Sequence, residues 1–391
     1  MHLDLTEAQR SLRDKIRAYM DQLMSAELRA ELNHQEGGGP LFMAACRQMG
    51  RDGWLGIGWP KEHGGQGQGP IEQFLFFDEV QRVGFPVPIL TLNTVGPALL
   101  QFGTEAQKTF YAPKILAGEC HFSIGYTEPG AGTDLASLKT KAVRAGDEYI
   151  INGQKIFCSL ADHADYLWLA CRTDPEVKKH KGISILIVPM DAAGLSMTPI
   201  HGLGDNNIHA VYFDSVRVPT SHLVGPEHGG WALITSQLNH ERVALNAVGP
   251  LERLMERTQR WAGTAADGDG RALLDQAWVR SNLAEVAAHL QVLRLMNWRQ
   301  GWAIAQDRLG MAEASAIKVF GSELYVRGAR LLQEILGAAG ALTVHSEGAR
   351  LHGDLERFYR MSLVLTFGGG TNEVQRDIIA AAGLRMPRQS R

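Results

Sequence analysis

The sequence has few cysteines, and none of them forms a recognisable pair. The 391 residues include four, Cys46, Cys120, Cys158 and Cys171, which lie far apart and form no C-x-x-C motif. This spacing argues against a disulfide framework and against a cysteine-based zinc site, and it is typical of a protein of the reducing cytoplasm. We therefore predict a cytoplasmic location.

Long apolar runs and an excess of basic residues are also lacking. No run of 18 apolar residues occurs, and Met1–Arg10 is charged where a signal peptide would have an apolar core. We expect no membrane span and no signal peptide. Lys and Arg number 39 against 42 Asp and Glu, which gives a formal net charge of −3. Since proteins that coat nucleic acid are usually basic, we expect no nucleic-acid partner.

Several catalytic motifs are missing as well. The 14 histidines include no H-E-x-x-H spacing, so we predict no metal site, and His201 and His209 are interpreted as ordinary histidines. No G-x-S-x-G is present, which argues against an α/β-hydrolase.

The periodicity of the sequence divides the chain into three parts. Thr6 with Gln9 and Thr104 with Gln107 have capping-box spacing and predict helices in residues 1–120. Short β-branched runs in residues 121–229 predict strands, with a turn at Asn152–Gly153, and no long helix separates them, which favours an antiparallel β-domain. In residues 230–391 a helical stripe returns at Val279, Leu283, Val286, Leu290 and Leu293. We predict an α+β fold with a helical domain, an antiparallel β-domain and a C-terminal helical bundle.

Three segments are candidates for chemistry. Residues 126–134, YTEPGAGTD, and 367–373, FGGGTNE, have small residues that let backbone N–H groups approach a ligand closely. By spacing alone, a turn between domains is the favoured interpretation of the first, and the second could be a helix break. The third is 239–242, NHER, in an apolar helix. By pattern alone, surface ion pairs are the favoured interpretation of its charges, ahead of a buried functional site.

Taken in order, several segments resemble the acyl-CoA dehydrogenase family. They are 58–65 GWPKEHGG, 102–108 FGTEAQK, 126–134, 151–155 INGQK and 370–376 GTNEVQR. The resemblance covers nearly the whole chain and implies the family's helical, β, helical fold. It also implies FAD, an acyl-CoA substrate and α,β-dehydrogenation, in which a carboxylate removes the α-proton while the β-hydride passes to flavin N5.

The resemblance assigns cofactor-binding positions to eight residues. Tyr126, Thr127, Gly132 and Thr133 are expected to hold the flavin ring and pyrophosphate. Phe157, where many relatives have Trp, and Ser159 are expected to border the ring. Thr371 and Glu373 are expected near the adenosine half. An electron-transfer flavoprotein or another acceptor is the implied redox partner.

The catalytic base departs from the family's commonest pattern. Many relatives carry a Glu where this chain has Gly369, and a glycine cannot take a proton. The isovaleryl-CoA and long-chain branches place the base on an earlier helix, in a Glu-Arg pair that matches Glu241-Arg242. The resemblance therefore makes Glu241 the base, with the Gly369 N–H as the oxyanion donor. Arg242 and Gly368 are expected to line the substrate site, and the two glycines leave room for a bulky or α-branched acyl group.

Two further departures concern contacts that relatives lend to a neighbouring subunit's FAD. An Arg-x-Gln-Phe-Gly motif is absent from 257–263, RTQRWAG, and a Gln-x-x-Gly-Gly segment is 334–338, EILGA, here. This combination resembles the catalytic subunit of the bacterial steroid side-chain acyl-CoA dehydrogenases, which are α2β2 assemblies, and implies an unlike partner subunit. Three alternatives stay open: a homo-oligomeric dehydrogenase of a smaller branched acyl-CoA, a non-catalytic subunit, and an oxidase or monooxygenase on the same fold.

Overall fold

The computed structural model describes residues 4–34, 37–241, 246–306 and 308–387. Along the chain it has a group of helices, then an eight-stranded sheet, then a second group of helices. This order confirms the predicted α+β fold class. The first strand begins at Phe122 and the first helix after the sheet begins at Gly230. The domain boundaries at residues 120 and 229 stay a prediction.

The N-terminal part is helical, and local capping explains two of its helix starts. Both predicted capping boxes are present: the hydroxyls of Thr6 and Thr104 each accept the N–H three residues ahead, from Gln9 and Gln107, at 3.2 Å. These bonds satisfy N–H groups that a helix start otherwise leaves unpaired. The helices are α1 Glu7–Leu23, α2 Ala26–His34, α3 Pro40–Arg51, α4 Pro70–Arg82, α5 Gly96–Phe102 and α6 Glu105–Leu116, with a π-helical turn at Leu90–Val95 before α5.

The middle part is one sheet in which two neighbouring strands, β4 and β5, are buried. The strands are β1 Phe122–Gly125, β2 Lys141–Ala145, β3 Glu148–Ser159, β4 Tyr166–Arg172, β5 Ile183–Pro189, β6 Leu195–Ile200, β7 Ile208–Pro219 and β8 Leu223–Val224. Their order in the sheet is β6-β7-β3-β2-β4-β5-β8, and β1 lies beside β4. Almost every residue of β4 and β5 is buried, because these strands are covered on both faces.

Two sequence predictions in this sheet were wrong in detail. The sheet is mixed, because β1 runs parallel to β4 and Lys141 of β2 pairs in parallel with Arg172 of β4. Asn152–Gly153 is also no turn: β3 continues through it, with a β-bulge between Ile151 and Gly153 opposite β7. A Cβ at Gly153 would lie 2.7 Å from Thr140, so the glycine serves close backbone packing.

The C-terminal part is a helical bundle. The predicted stripe Val279 to Leu293 is buried on one helix, with each of its five residues at 9% exposure or less. Its helices are α7 Gly230–Glu241, α8 Gly249–Thr264, α9 Ala277–Ala305, α10 Met311–Leu336, α11 Asp354–Ser362 and α12 Asn372–Ile378. The helices α9 and α10 pack along each other and carry most of this core.

The four cysteines are buried and free. Burial raises the pKa of each thiol to about 12, so the thiols stay protonated and unreactive near neutral pH. None of the described helices has the length and apolar composition needed to cross a bilayer.

Candidate active site

In the segment after β1, residues 126–134, a tight turn leaves Gly130 and Gly132 with open space beside them. Glu128 and Ala131 exchange two backbone hydrogen bonds, of 3.1 and 3.0 Å, and close a turn over Pro129–Gly130. The carbonyl of Thr127 accepts the Ile156 N–H at 2.9 Å, which fixes the segment against β3. A Cβ at Gly130 or Gly132 would meet no atom within 4 Å. The backbone here is therefore open on one side to a large ligand.

A buried ion pair holds this segment from inside the sheet. The Lys155 ammonium lies 2.8 Å from Glu128 Oε1 and 3.0 Å from the Tyr126 carbonyl. The N–H groups of Lys139 and Thr140 donate to the same carboxylate, at 2.6 and 2.9 Å. Burial alone would raise the pKa of Glu128, but the Lys155 charge and these bonds outweigh it and hold the pKa below its usual range.

No sequence motif contains this pair. A signal was present: alternation along β3 puts Tyr149, Ile151 and Lys155 on the inward face. A lysine at an inward register position needs a buried partner, because an isolated buried charge is costly.

Phe157 and Ser159 lie on the same strand, just beyond the ion pair. Phe157 sits in a second bulge of β3, with a left-handed backbone at φ 59°, and its ring is 55% exposed. A non-glycine residue with positive φ is uncommon and is a feature of strained functional positions. The Ser159 carbonyl accepts the Ser123 hydroxyl at 2.7 Å, which holds this end of β3 beside β1.

These features fit a flavin. The two open glycines and two Thr side chains lie in the segment after β1, which the bond from the Ile156 N–H holds beside the part of β3 that carries the exposed Phe157 ring. A planar ring and a pyrophosphate need such backbone access and few Cβ atoms. Tyr126, Thr127, Gly132, Thr133, Phe157 and Ser159 are the residues that would hold FAD here; these roles stay a prediction.

The glycine-rich segment 367–373 follows α11 and runs into the first turn of α12. The Gly368 N–H donates to the Val364 carbonyl at 2.6 Å, whereas the Gly369 N–H donates to none of the described residues. Gly369 and Gly370 have φ of 66° and 95°, a region that favours glycine. The segment thus presents a free donor on a bent backbone.

A buried lysine anchors this segment. Lys318 of α10 is 2% exposed, and its ammonium donates to the Gly370 carbonyl and to Asn372 Oδ1, both at 2.7 Å. Thr371 caps α12 by accepting the Val374 N–H at 3.2 Å, and Glu373 is exposed in the first turn of that helix. Lys318 belongs to no recognisable motif, and its place on a helix gave no signal of the Gly370 contact.

The predicted base lies at the edge of the described residues. Glu241 is the last residue of α7, and its side chain, like the whole of Arg242, lies outside them. The chain on both sides is firmly held. Before it, Gln237 bonds Tyr126; after it, the N–H groups of Val248 and Gly249 donate to Asp78, at 2.5 and 2.8 Å.

The two segments that relatives use toward a neighbour's FAD have other contacts here. The Arg257 guanidinium pairs with Asp354 and donates to the Leu351 carbonyl at 3.0 Å, so it is engaged within its own chain. Glu334 is exposed and accepts a hydrogen bond from Asn282 at 3.1 Å. Among the described residues, no group of three or more His, Cys, Asp or Glu could hold a metal ion.

Family comparison covers all three parts of the chain. Residues 6–119, 123–216 and 228–384 match the N-terminal, middle and C-terminal domain models of acyl-CoA dehydrogenase. Among curated proteins, the chain is 49% identical to each of two from Mycobacterium tuberculosis, Acyl-CoA dehydrogenase FadE26 over 404 aligned residues and Acyl-CoA dehydrogenase FadE29 over 392. Each alignment covers 100% of both chains.

Solved structures agree. The chain is similar to one in the ChsE4-ChsE5 complex from Mycobacterium tuberculosis, with 49% identity and a TM-score of 0.94, and to one in the Tcur3481-Tcur3483 steroid ACAD, with 51% identity and a TM-score of 0.94. Both matches cover 100% of each chain. The fold, the order of the motifs and these similarities lead to one conclusion: the chain belongs to the acyl-CoA dehydrogenase family and is an FAD-dependent acyl-CoA dehydrogenase.

Proposed function

We propose that the enzyme dehydrogenates a bulky or α-branched acyl-CoA of the steroid side-chain type, with Glu241 as the base that removes the α-proton. The observation that carries this proposal is the bare backbone at Gly368–Gly370, the segment in which many relatives carry the base. A proton acceptor must then come from elsewhere, and α7, which ends at Glu241, is bonded through Gln237 and Tyr126 to residues 126–134, here called the flavin segment.

The chain's own residues meet the two needs of the reaction. An α C–H is a poor acid, so the negative charge that develops on the thioester oxygen must be stabilised. The Gly369 N–H, which has no acceptor among the described residues, is the donor for that oxygen. Glu241 takes the proton and Gly368 and Arg242 line the substrate site. FAD bound in this site would supply the acceptor for the hydride that leaves the β-carbon.

The proposed bulk of the acyl group is inferred from the glycines of this segment, which carry no side chain. Gly369 is exposed and carries no side chain, which favours space for the acyl group at this position. A Cβ at Gly368 would lie 3.0 Å from the Val364 carbonyl oxygen, so that glycine serves close backbone packing. A relative at 51% identity bears the description steroid ACAD, which supports a steroid-type substrate.

The assembly is proposed to be α2β2 with an unlike acyl-CoA dehydrogenase subunit, in the cytoplasm, with an electron-transfer flavoprotein as the acceptor. Arg257 is engaged by Asp354, and the acidic Glu334 would be unfavourable beside a pyrophosphate. Two similar solved chains come from complexes named for two different proteins. An unlike subunit that supplies the missing cation completes each FAD site.

The base assignment is tested with Glu241→Gln. The variant keeps the size of the side chain but cannot take a proton, so we expect unchanged FAD content and loss of flavin bleaching by acyl-CoA. Thr235→Val, on the exposed side of the same helix, is the matched control and should bleach normally. Bleaching of the Glu241→Gln flavin at the normal rate would exclude Glu241 as the base.

The assembly is tested by the ratio of FAD to chain after expression alone and with a second acyl-CoA dehydrogenase-like chain encoded nearby. Little FAD alone and about one FAD per unlike pair support the α2β2 proposal. Full FAD in a stable homotetramer would contradict it and favour the homo-oligomeric dehydrogenase of a smaller acyl-CoA. A flavin that no acyl-CoA bleaches would favour a non-catalytic subunit.

A further inference from the structure

The helix α10 carries polar side chains on a face that is buried. Lys318 and Ser322 lie four residues apart, which places them on one side of the helix, and they are 2% and 0% exposed. Buried polar groups, and a buried ammonium above all, are costly unless they have hydrogen-bond partners. The element that packs against α10 here is α12, so the partners of these two side chains lie at the start of that helix.

Asn372, the first residue of α12, is held by this face in one orientation. Its Oδ1 accepts a hydrogen bond from the Lys318 ammonium at 2.7 Å, and an ammonium can only donate. Its Nδ2 lies 3.1 Å from Ser322 Oγ and 3.2 Å from Glu323 Oε1, where it donates. Asn372 is 4% exposed, so this amide fixes the start of α12 against α10 from the buried side.

The same ammonium also reaches the glycine segment, residues 368–370. It donates to the Gly370 carbonyl at 2.7 Å, and of the side chains that the structure describes, Lys318 is the one that bonds the backbone of this segment. Gly369 and Gly370 are exposed, whereas Lys318 is buried. The ammonium therefore supports an open stretch of backbone from below, on the side away from solvent.

Three consecutive glycines need such a support if the segment is to present a donor in a fixed direction. A glycine adopts φ of either sign, so an unsupported run of three has many conformations. A hydrogen bond from a charged donor is stronger than one between neutral groups. The bond to Gly370 fixes the carbonyl of the residue after Gly369, and it thereby restricts the directions in which the Gly369 N–H can point.

We propose that Lys318 is a positioning residue for the dehydrogenation, which holds the Gly370 carbonyl and so keeps the Gly369 N–H in place for the thioester oxygen. The inference rests on the proposed role of that N–H as the oxyanion donor. A donor that is already in place stabilises the developing charge without reorganisation. Because this charge develops on the way to the transition state, a displaced donor should slow the reaction more than it weakens substrate binding.

The experiment compares two variants of the FAD-loaded protein, in whichever assembly holds FAD. Lys318→Met keeps the apolar part of the side chain and removes the ammonium. Lys318→Gln is uncharged and one atom shorter, so it cannot bond both Gly370 and Asn372. The probes are cholyl-CoA, a steroid side-chain thioester, and isobutyryl-CoA, an α-branched one. For both variants we expect a limiting rate of flavin reduction at least about tenfold lower, with a nearly unchanged probe concentration for the half-maximal rate.

Hydrogen exchange of the same proteins without acyl-CoA measures the support of the segment directly. The Gly368 N–H is bonded to the Val364 carbonyl. Loss of a hydrogen bond from a charged group next to it should make this amide exchange at least about tenfold faster. Glu323→Gln is the matched control, because it removes a half-exposed ion pair with Arg376 that also joins α10 to α12 and leaves the Lys318 bonds in place. It should change neither the rate nor the exchange.

The two measurements together decide the inference. Faster exchange with a lower limiting rate supports it. Unchanged exchange in both Lys318 variants would overturn it and leave the donor assignment standing, and Lys318→Gln decides alone if Lys318→Met does not fold. Faster exchange with an unchanged limiting rate would overturn the Gly369 N–H as the oxyanion donor as well. If neither probe bleaches the wild-type flavin, the proposed substrate class is wrong, and the exchange still decides whether Lys318 holds the segment.

Discussion

The Lys155 ammonium and the Glu128 carboxylate lie 2.8 Å apart, with the two side chains 0% and 7% exposed. The pair joins β3 to residues 126–134, the segment proposed to bind the flavin, and the carboxylate also accepts two backbone N–H groups from residues 139 and 140. The buried ion pair thus fixes the flavin segment to β3, while Gly130 and Gly132 in that segment have open space beside them.

Lys155→Met should release this anchor. Removal of one partner leaves a buried unpaired charge, and we expect a loss of roughly 3 kcal/mol in the free energy of unfolding, together with weaker FAD retention. Urea denaturation and the FAD-to-chain ratio measure the two effects. Lys179→Met is the matched control, because Lys179 pairs with Asp134 at 2.7 Å in an exposed position near the same segment. That surface pair should contribute at most about 1 kcal/mol. Equal effects of the two changes would contradict a special role for the buried pair.

Arg257→Leu tests whether the Arg257 guanidinium stabilises its own chain or contacts the FAD of a neighbouring subunit. Because Arg257 bonds Asp354 and Leu351, we expect a stability loss of about 1 kcal/mol and unchanged FAD content. The measurement is the FAD-to-chain ratio of the purified assembly beside its urea midpoint. A drop in FAD without a loss of stability would mean that the arginine reaches a neighbour's cofactor, and would favour the homo-oligomer.

Asp78 should give the stability a pH dependence of known sign. Burial raises its pKa to about 6, although the N–H groups of Gly249 and Val248 act in the opposite direction. The folded carboxyl holds its proton more tightly than the unfolded one, whose pKa is about 3.9. The stabilisation of the folded state by the protonated Asp78 carboxyl is therefore fully present below about pH 4 and is lost as the pH rises through about 6.

Asp78→Asn isolates that contribution. An amide oxygen can still accept both N–H groups, but it does not titrate. We expect the variant to match the parent near pH 4 and to exceed its stability by on the order of 2 kcal/mol above pH 7. Urea midpoints across pH 4–8 provide the comparison. A constant difference between the two proteins over this range would exclude the raised pKa.

Thr371→Ala separates capping from cofactor binding. Loss of the bond to the Val374 N–H should cost about 1 kcal/mol of stability. If the residue also contacts FAD, as the resemblance implies, the FAD affinity falls as well. Thr6→Ala removes a similar cap on α1 and should cost as much stability with no change in FAD. If both variants lose the same stability and neither loses FAD affinity, Thr371 acts only as a helix cap.

The sequence determined the elements whose cause is local. Capping boxes at Thr6 and Thr104, the cap at Thr371 and the stripe from Val279 to Leu293 were predictable, because neighbouring residues on one helix decide them. The ordered motifs also gave the family and the cofactor, since the residues of each motif are contiguous.

Only the tertiary structure decided what depends on residues far apart in the chain. Asn152–Gly153 is a favourable turn pair, yet packing against Thr140 and pairing with β7 make it a bulge within one strand. The partners of Lys155, Lys318 and Gln237 lie 27, 52 and 111 residues away, at Glu128, Gly370 and Tyr126. Spacing along a chain cannot predict such contacts, because they form only when sheet and helices pack and burial forces each polar group to find a partner.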